Sequence, residues 1–354
     1  MSKYSKIYFI GVGGIGMSAI ARYYKFKGYP VAGYDRTPSD LTHALEKEGI
    51  DVHYNDDPDY IPKDVASTLV VYTPAIPADL KELVYVKEHG YTLVKRSRML
   101  GELAEGQTCL AVAGTHGKTT TSTLVAHILT ESGKGCSAFL GGISKNYDTN
   151  LLTSHTPTIV AEADEFDRSF LQLHPAIAAI TAMDADHLDI YGTLEEYRKA
   201  FKAFASQVSR TLIVKLGLDI TAEDTNARIL HYSYDNPDAD YHAANPRPDE
   251  VGHYIFDLVY PGGVIGNIRV GIPGWVNVEN SVAAAAVCLC HGVTPEAIKE
   301  AIGTYSGVRR RLDVHLNTPH LSYIDDYAHH PKELASAISS MRGIFPGRKL
   351  TAIF

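Results

Sequence analysis

The residues best equipped for chemistry form one loop, Gly114-Thr115-His116-Gly117-Lys118-Thr119-Thr120-Thr121. It follows an apolar run over residues 109–113 and opens a helical pattern over 119–130. Glycines, a lysine and hydroxyls at a strand–helix junction make a phosphate cradle. Backbone N–H groups wrap the phosphates, Lys118 neutralises them, and the Thr119 hydroxyl reaches Mg²⁺. The strict spacing is not kept, because Val112 stands where a glycine is expected five residues before Gly117. A second candidate is Glu162, which ends the apolar run Ile159-Val160-Ala161 and begins Glu162-Ala163-Asp164-Glu165. A carboxylate at a strand end beside a phosphate loop suits a Mg²⁺ ligand for bound ATP, or else the segment is a plain acidic loop. A third is Asp186-His187-Leu188-Asp189, after an apolar run over 177–181. His187 suits a metal ligand, a substrate contact or a structural histidine.

A different nucleotide signature opens the chain. Gly11-Val12-Gly13-Gly14-Ile15-Gly16 follows a strand pattern over 6–10 and begins a helical one. Such glycines permit a tight turn and let a pyrophosphate approach the helix N-terminus. Asp35 lies nineteen residues beyond Gly16, where a carboxylate reaches a ribose hydroxyl. Alone, the turn is compatible with NAD, FAD or any pyrophosphate-linked nucleotide. The pair of signatures is more informative. A dehydrogenase needs no phosphate loop, and a phosphate-loop ATPase needs no glycine turn ahead of it. An enzyme that uses ATP on a second, nucleotide-linked substrate needs both.

The elements that must position these residues follow an α/β pattern. In the first unit, strands are expected at 6–10, 30–34, 68–72 and 91–94, and helices at 15–27, 41–47 and 80–88. Strand–helix alternation implies a parallel sheet. A second unit starts at Thr108, with strands at 109–113, 136–140, 158–161 and 177–181 and helices at 119–130 and 194–206. Residues 232–272 are rich in Pro, Gly, Asn and Asp with short apolar runs, an antiparallel excursion. Helices return at 278–291 and 295–302, the latter with Thr294 as cap and Pro295 at its first position. A third unit begins near Leu312, with strands at 321–325 and 349–354 around a helix at 331–341. A complete doubly wound domain there would need roughly 100 more residues. The chain thus divides into 1–107, 108–311 and an incomplete 312–354.

Composition narrows the partners. The 354 residues carry 33 Lys and Arg against 41 Asp and Glu, a net charge of −8. That balance excludes the basic footprint of a general nucleic-acid or anionic-membrane binder. No apolar run approaches the ~20 residues of a membrane span, and no secretory leader precedes residue 6, so a cytoplasmic protein is expected. Four cysteines, Cys109, Cys136, Cys288 and Cys290, fit neither a zinc pair nor a disulfide framework, and are expected as small buried hydrophobes.

In this order the motifs resemble the Mur ligase family over essentially the whole chain. The carriers are Gly11–Gly16, the Gly114–Thr121 loop, Glu162-Ala163-Asp164-Glu165, Asp186-His187-Leu188-Asp189, Gly307-Val308-Arg309-Arg310-Arg311 and Asp325-Asp326-Tyr327-Ala328-His329-His330-Pro331. The resemblance implies a Rossmann-like first domain, a central phosphate-loop ATPase domain and the start of a truncated Rossmann-like third domain. It implies ATP bound by Gly114, Thr115, His116, Gly117, Lys118, Thr119, Thr120, Asn277, Asn280, Arg311 and Asp326. Mg²⁺ would be held by Thr119, Glu162 and His187. A UDP-sugar, UDP-N-acetylmuramate, would lie on Gly11, Gly13, Gly14, Ile15, Gly16, Asp35, Thr73, Ala75, Ile76 and Arg98. The incoming amino acid, L-alanine, would meet Tyr327, His329 and His330. Lys118, Glu162, His187, Arg311 and His329 would be the catalytic set.

The implied reaction is phosphorylation of the lactyl carboxylate by ATP, followed by attack of the amine on the acyl phosphate. The resemblance also implies a monomer or weak dimer. Two positions depart from the family pattern. The helix lysine that many members carbamylate is Phe201 here, with Lys199 and Lys202 nearby, which points to the alanine-adding branch. A frequent adenine-contacting histidine is Val276. A ligase that joins a tripeptide to the same UDP-sugar, a nicotinamide oxidoreductase and a non-enzymatic UDP-sugar sensor are the competing readings. With its third domain cut short, this chain is expected to bind UDP-sugar and to ligate poorly.

Overall fold

Strand β1 (Lys6–Ile10) is apolar on both faces, so it must lie between two layers of helices. It does so at the centre of a five-stranded parallel sheet. The structure, a computed structural model, describes residues 3–249 and 252–353. The sheet order is β3-β2-β1-β4-β5, with β2 at Val31–Tyr34, β3 at Asp51–His53, β4 at Thr68–Tyr72 and β5 at Thr92–Lys95. Ile7 and Phe9 pack on one face with α1 (Ile15–Phe26), and Tyr8 and Ile10 on the other with Leu83 and Val86 of α3 (Lys81–Glu88). Helix α2 (Asp40–Lys47) is fixed by a capping box between Ser39 and Thr42. Helix α4 (Arg96–Ala104) leads to the second sheet. Neither β3 nor α4 was expected from the sequence. β3 has three residues and no apolar alternation, and α4 begins directly at the end of β5 without a capping side chain.

The second sheet has ten strands in the order β15-β14-β13-β12-β11-β10-β6-β9-β7-β8. Its middle is parallel: β6 (Thr108–Ala113), β7 (Ser137–Ser144), β9 (Thr158–Ala163), β10 (Ile177–Ile180), β11 (Thr211–Lys215) and β12 (Arg228–Ser233). One edge is closed by the antiparallel strand β8 (Thr149–Leu152). The other carries the antiparallel excursion, β13 (Tyr241–Pro248), β14 (His253–Tyr260) and β15 (Gly263–Pro273). Helix α5 (Lys118–Glu131) is buried for most of its length beneath α8 (Val276–Cys290). Short α6 (Leu188–Tyr191) and α7 (Leu194–Ser206) cover the opposite face, where Phe201 and Phe204 pack on Phe170 and Tyr197 packs on Phe201. Thr294 caps α9 (Pro295–Thr304) by accepting from Ala297 N–H, as expected. Cys109, Cys136 and Cys288 are buried and Cys290 half-buried, all as free thiols.

The C-terminal segment departs from expectation. Strand β17 (Ser322–Asp325) forms an antiparallel hairpin with β16 (Asp313–Asn317) instead of opening a parallel sheet, and α10 (Pro331–Ile344) follows. Residues 349–353 are not a strand, and residue 354 lies outside the described residues. A strand needs a neighbour for its backbone groups, and among the described residues none pairs with this segment.

Two buried polar clusters tie the elements together. Asn150 of β8 is wholly buried and donates to Ile15 C=O at 2.6 Å and Ser18 Oγ at 2.9 Å, while accepting from Arg22 Nη1. Arg22 is also paired with Glu48 at 2.7 Å. The first turn of α1 is thereby fixed to the second sheet.

The other cluster lies under α3. Glu82 is fully buried, accepts a hydrogen bond from the Tyr8 hydroxyl at 2.5 Å, and lies 3.5 Å from His53 Nε2. Burial raises its pKa to about 7, against the lowering effect of the Tyr8 bond. A carboxyl raised from about 4.5 resists ionising in the folded state. Its contribution to stability is whole below about 4.5 and is lost as pH rises through about 7. The Glu82→Gln variant is expected to remove this loss. Urea melts from pH 4 to 8 should show wild type falling relative to the variant by on the order of 3 kcal/mol. Parallel curves would refute the ionisation.

Candidate active site

The phosphate loop turns on Gly114 (φ +134°) and Gly117 (φ +79°) between β6 and α5. A Cβ on Gly114 would stand 2.2 Å from Thr181 Oγ1 and 2.7 Å from Ala182 N. One on Gly117 would stand 2.8 Å from Asn280 Oδ1. Both positions therefore need glycine. The loop is braced from beneath. Thr115 N–H donates to Ala182 C=O at 3.1 Å, its hydroxyl donates to Asp184 C=O at 3.0 Å, and Thr181 Oγ1 donates to Ala113 C=O at 3.1 Å.

Lys118 at the helix start is clamped by Glu165, with Nζ 2.7 and 2.9 Å from the two carboxylate oxygens. Burial pulls the lysine pKa down, but Glu165, Asp164 and Glu162 together hold it above its ordinary value. The ammonium stays charged and ready for phosphate. Glu165 is 1% exposed, and sequence reasoning had not singled it out. The signal was present: it lies three residues past Glu162 on the same acidic turn, where the chain folds back over the loop lysine.

The Thr119 hydroxyl donates to Glu162 Oε1 at 3.1 Å, and Gly141 N–H donates to Glu162 Oε2 at 3.1 Å. Burial lifts the Glu162 carboxyl above its usual range. A hydroxyl and a carboxylate are the hard oxygen donors that suit Mg²⁺, which keeps several waters and takes its remaining ligands from bound phosphates. This pair fits the ion. His187 is the third expected ligand. It stands at the N-terminus of α6 with φ +51°, its ring edge-on to Phe166 and Nε2 3.7 Å from Asp186. Among the described residues no three His, Cys, Asp or Glu side chains gather as a ligand set.

A cavity of about 310 Å³ opens over the loop. One wall is the loop from Thr115 to Thr120 with Glu162, a second is α8 with Lys215 and Tyr232, and a third is the C-terminal segment with Arg311, Asp326, Lys332 and Glu333. Asn280 donates to Asn277 Oδ1 at 3.2 Å and accepts from Thr121 Oγ1 at 3.4 Å, while Asn277 donates to Pro273 C=O at 2.6 Å. Both amides expected at adenine line the cavity and are anchored by these bonds.

Across the cavity, α10 is held to the loop by polar side-chain contacts. His116 Nδ1 lies 3.3 Å from Glu333 Oε1, its Nε2 3.2 Å from Asp184 Oδ2, and Lys332 pairs with Asp184. Burial alone would raise Glu333, but the bonds from His116 and the His329 N–H, with the Arg311 charge, hold it at about 2. Arg311 lies over the Tyr327 ring at 5.3 Å and 3.9 Å from Glu333. Asp326 accepts from Leu312 N–H at 2.7 Å and lines the cavity. His330 caps α10 with its ring 4.6 Å from that of His116. Tyr327 and His329 lie outside the cavity lining and face solvent, with His329 Nδ1 3.0 Å from Tyr327 C=O.

The glycine turn forms the second half of the site. Gly11 has φ +88°, and a Cβ there would meet Thr73 and Ile76 at 3.4 and 3.3 Å. Ala75 is exposed on the same loop, and Ile15 is half-exposed at the start of α1. Asp35 accepts from Gly13 N–H at 2.7 Å and Thr37 N–H at 3.2 Å, so its carboxylate caps the turn. Gly14 serves as the backbone cap of α1. Arg98 is exposed and pairs with Glu102 at 2.9 Å. Arg96, not singled out from the sequence, takes the place at the turn: its Nη1 lies 2.8 Å from where a Gly16 Cβ would be. Its other end reaches Asp164 Oδ2 at 3.6 Å. One guanidinium thus joins the glycine turn to the acidic turn that holds Lys118.

Comparisons with known proteins agree with this construction. Residues 112–288 match the Mur ligase middle domain, and residues 6–108 match the Mur ligase family catalytic domain. The UDP-N-acetylmuramate--L-alanine ligase of Porphyromonas gingivalis is 49% identical, the match covering 99% of this chain and 78% of that one. The enzyme of the same name from Parabacteroides distasonis is 48% identical over 100% of this chain and 78% of its own length. Among solved structures, UDP-N-acetylmuramate-alanine ligase MurC from Thermotoga maritima superposes with a TM-score of 0.85 at 28% identity, covering 96% of this chain and 78% of that one. With its two nucleotide turns, its acidic strand end and these relatives, the chain belongs to the Mur ligase family.

Proposed function

We propose that this chain ligates L-alanine to UDP-N-acetylmuramate with ATP as the energy source, in the cytoplasm, where ATP is supplied. The observation that carries the reading is the Arg96 bridge. It sets a pyrophosphate turn and a triphosphate loop on either side of one guanidinium–carboxylate contact. Relatives 48–49% identical over nearly the whole chain bear the name of this reaction.

In this reading the UDP-sugar lies on residues 11–16, with Arg96 beside its diphosphate, and residues 1–107 form its domain. ATP lies on Gly114–Thr120 in the domain of residues 108–311. Lys118 holds the β- and γ-phosphates, leaving Glu165 as its counter-charge. Thr119 and Glu162 would hold Mg²⁺, which supplies charge neutralisation to the transferred phosphoryl group. His187 is a candidate for a further ligand on the substrate side. Arg311 approaches from the third wall and neutralises charge that develops on the phosphoryl oxygens. The lactyl carboxylate takes the phosphoryl group to give an acyl phosphate, and ADP leaves. The amine then attacks the acyl carbon, and phosphate departs. Tyr327, His329 and His330 are the candidate amino-acid contacts on residues 312–354.

ADP release should be followed with ATP, Mg²⁺ and UDP-N-acetylmuramate, with L-alanine, L-serine, glycine or an L-alanyl-γ-D-glutamyl-diaminopimelate tripeptide as acceptor. Release that depends on L-alanine, at the low level expected of this chain, is the expected result. Release driven by the tripeptide alone would transfer the chain to the peptide-adding reaction.

A further inference from the structure

Arg311 reaches the cavity over the phosphate loop from an unusual stretch of backbone. Its two neighbours, Arg310 (φ +61°) and Leu312 (φ +44°), both lie in the left-handed region that residues with a side chain rarely adopt. Each is held there by a carboxylate. Asp313 Oδ2 accepts from Arg310 N–H at 3.1 Å, and Asp326 Oδ2 accepts from Leu312 N–H at 2.7 Å. Asp326 lines the nucleotide cavity itself, and Asp313 does not. Asp313 is only 6% exposed, and its other oxygen accepts from Lys145 Nζ at 2.6 Å.

Packing alone does not fix this stretch. Arg311 and Leu312 line both the nucleotide cavity and a second cavity of about 450 Å³, which Lys145, Asp313, Met341 and Phe345 also line. A segment with open space on two sides keeps one conformation only through its tethers. Lys145 is a firm anchor for such a tether. It follows directly on β7, where Gly141 N–H holds Glu162 Oε2 and Ser144 bridges to Val308. Lys145 N–H donates to Gly307 C=O at 2.9 Å, and Arg309 N–H donates to Ile143 C=O at 2.9 Å. One strand thus runs from the carboxylate that suits Mg²⁺ to the tether beside Arg311.

We propose that Asp313 and Lys145 are positioning residues whose pair holds Arg310 in its left-handed conformation and so keeps the Arg311 guanidinium on the transferred phosphoryl group. The inference rests on the reading of Arg311 as the residue that neutralises that group. Neither Asp313 nor Lys145 lines the nucleotide cavity, so both act through the backbone. Without the carboxylate on its N–H, Arg310 relaxes to negative φ, and Arg311 swings with the peptide that follows it.

The readout is the preference for a nucleoside triphosphate over the diphosphate, because a guanidinium on the γ-phosphate helps only the nucleotide that has one. Calorimetry measures Mg²⁺-dependent binding of ADP and of the β,γ-imido analogue of ATP to wild type, Arg311→Ala, Asp313→Ala and the double variant. Arg311→Ala should cut the triphosphate preference roughly tenfold, the scale of one charged hydrogen bond. Asp313→Ala should cut it by about fivefold or more while ADP affinity stays within about twofold, and the double variant should match Arg311→Ala. A misplaced arginine and an absent one are then equivalent, which a general loss of stability would not produce. Asp313→Asn keeps the volume and one acceptor, and Lys145→Met leaves the carboxylate on Arg310. These milder variants settle the matter if Asp313→Ala does not fold, and each should lower the preference by about threefold. An unchanged preference in both, equal loss of the two nucleotides, or losses that multiply in the double variant would overturn the inference and leave the role of Arg311 standing. An unchanged preference in Arg311→Ala would overturn the reading of Arg311 itself, and the inference with it.

Discussion

Replacing Lys118 with Ala is expected to abolish ATP-dependent turnover while UDP-sugar binding persists. The ammonium is the one loop side chain that carries positive charge to the phosphates, and it is held charged by Glu165 at 2.7 Å. Losing one such preorganised charge reduces kcat by roughly 10²–10³ or more. The glycine turn lies on the other sheet and does not touch Lys118, so the affinity for UDP-N-acetylmuramate should stay within about twofold. The variant also has a structural consequence. Glu165 is left buried without its partner, which costs about 3–5 kcal/mol where the carboxylate stays ionised. A Lys118→Met/Glu165→Gln double variant separates the two effects: stability should return and turnover should not. Equal loss of ADP release and UDP-sugar affinity in the single variant, measured by calorimetry, would show that the two sites are not divided as drawn here.

The parts of the site legible in the sequence are those built from consecutive residues at a strand–helix junction. Gly11–Gly16 and Gly114–Thr121 announce themselves because the turn, the helix start and the ligand all lie within one octapeptide. The parallel strands were legible for a similar reason. A strand buried on both faces is a short apolar run, as in β6 and β10. What could not be read depends on long-range placement. Asp35 has the spacing of a ribose contact, yet its distance from Gly13 N–H makes it a cap. Arg96 and Arg98 lie on one helix two residues apart and so point to different sides. Only the packing of α4 against the glycine turn selects Arg96. Asn277 and Asn280 are in the expected segment and line the cavity, but their bonds to Pro273, Thr121 and each other depend on the packing of α8 against α5 and could not be read from spacing. Of the hairpin, β17 was expected at 321–325 and β16 was missed: Asp313–Asn317 alternates polar and apolar residues over only five positions, with two apolar side chains. So short a run becomes a strand once β17 pairs with it.

Gly114→Ala should be strongly damaging, and its cause can be isolated. At φ +134° the backbone already disfavours any L side chain, which costs roughly 1–2 kcal/mol. The added methyl would also stand 2.2 Å from Thr181 Oγ1, 2.7 Å from Ala182 N and 2.9 Å from Thr181 N. Rotation can relieve the first contact. The other two are backbone atoms just beyond the end of β10, held by the bonds from Thr115 N–H to Ala182 C=O and from Thr181 N–H to Ala113 C=O. The loop must therefore lift off the sheet. A combined loss of roughly 3 kcal/mol or more follows from strain and overpacking, with nucleotide binding lost as the N–H groups leave their cradle. Gly28→Ala is the matched comparison. It has φ +85° and nothing within 4 Å of the new methyl, so strain acts alone and the loss should be about 1 kcal/mol. Adding Thr181→Ala to Gly114→Ala removes the hydroxyl contact and leaves the two backbone contacts. The double variant should stay defective in both thermal stability and ATP binding. Recovery to wild-type binding would mean that the Thr181 hydroxyl alone had set the spacing, and that the strand end beneath the loop yields more readily than its hydrogen bonds imply.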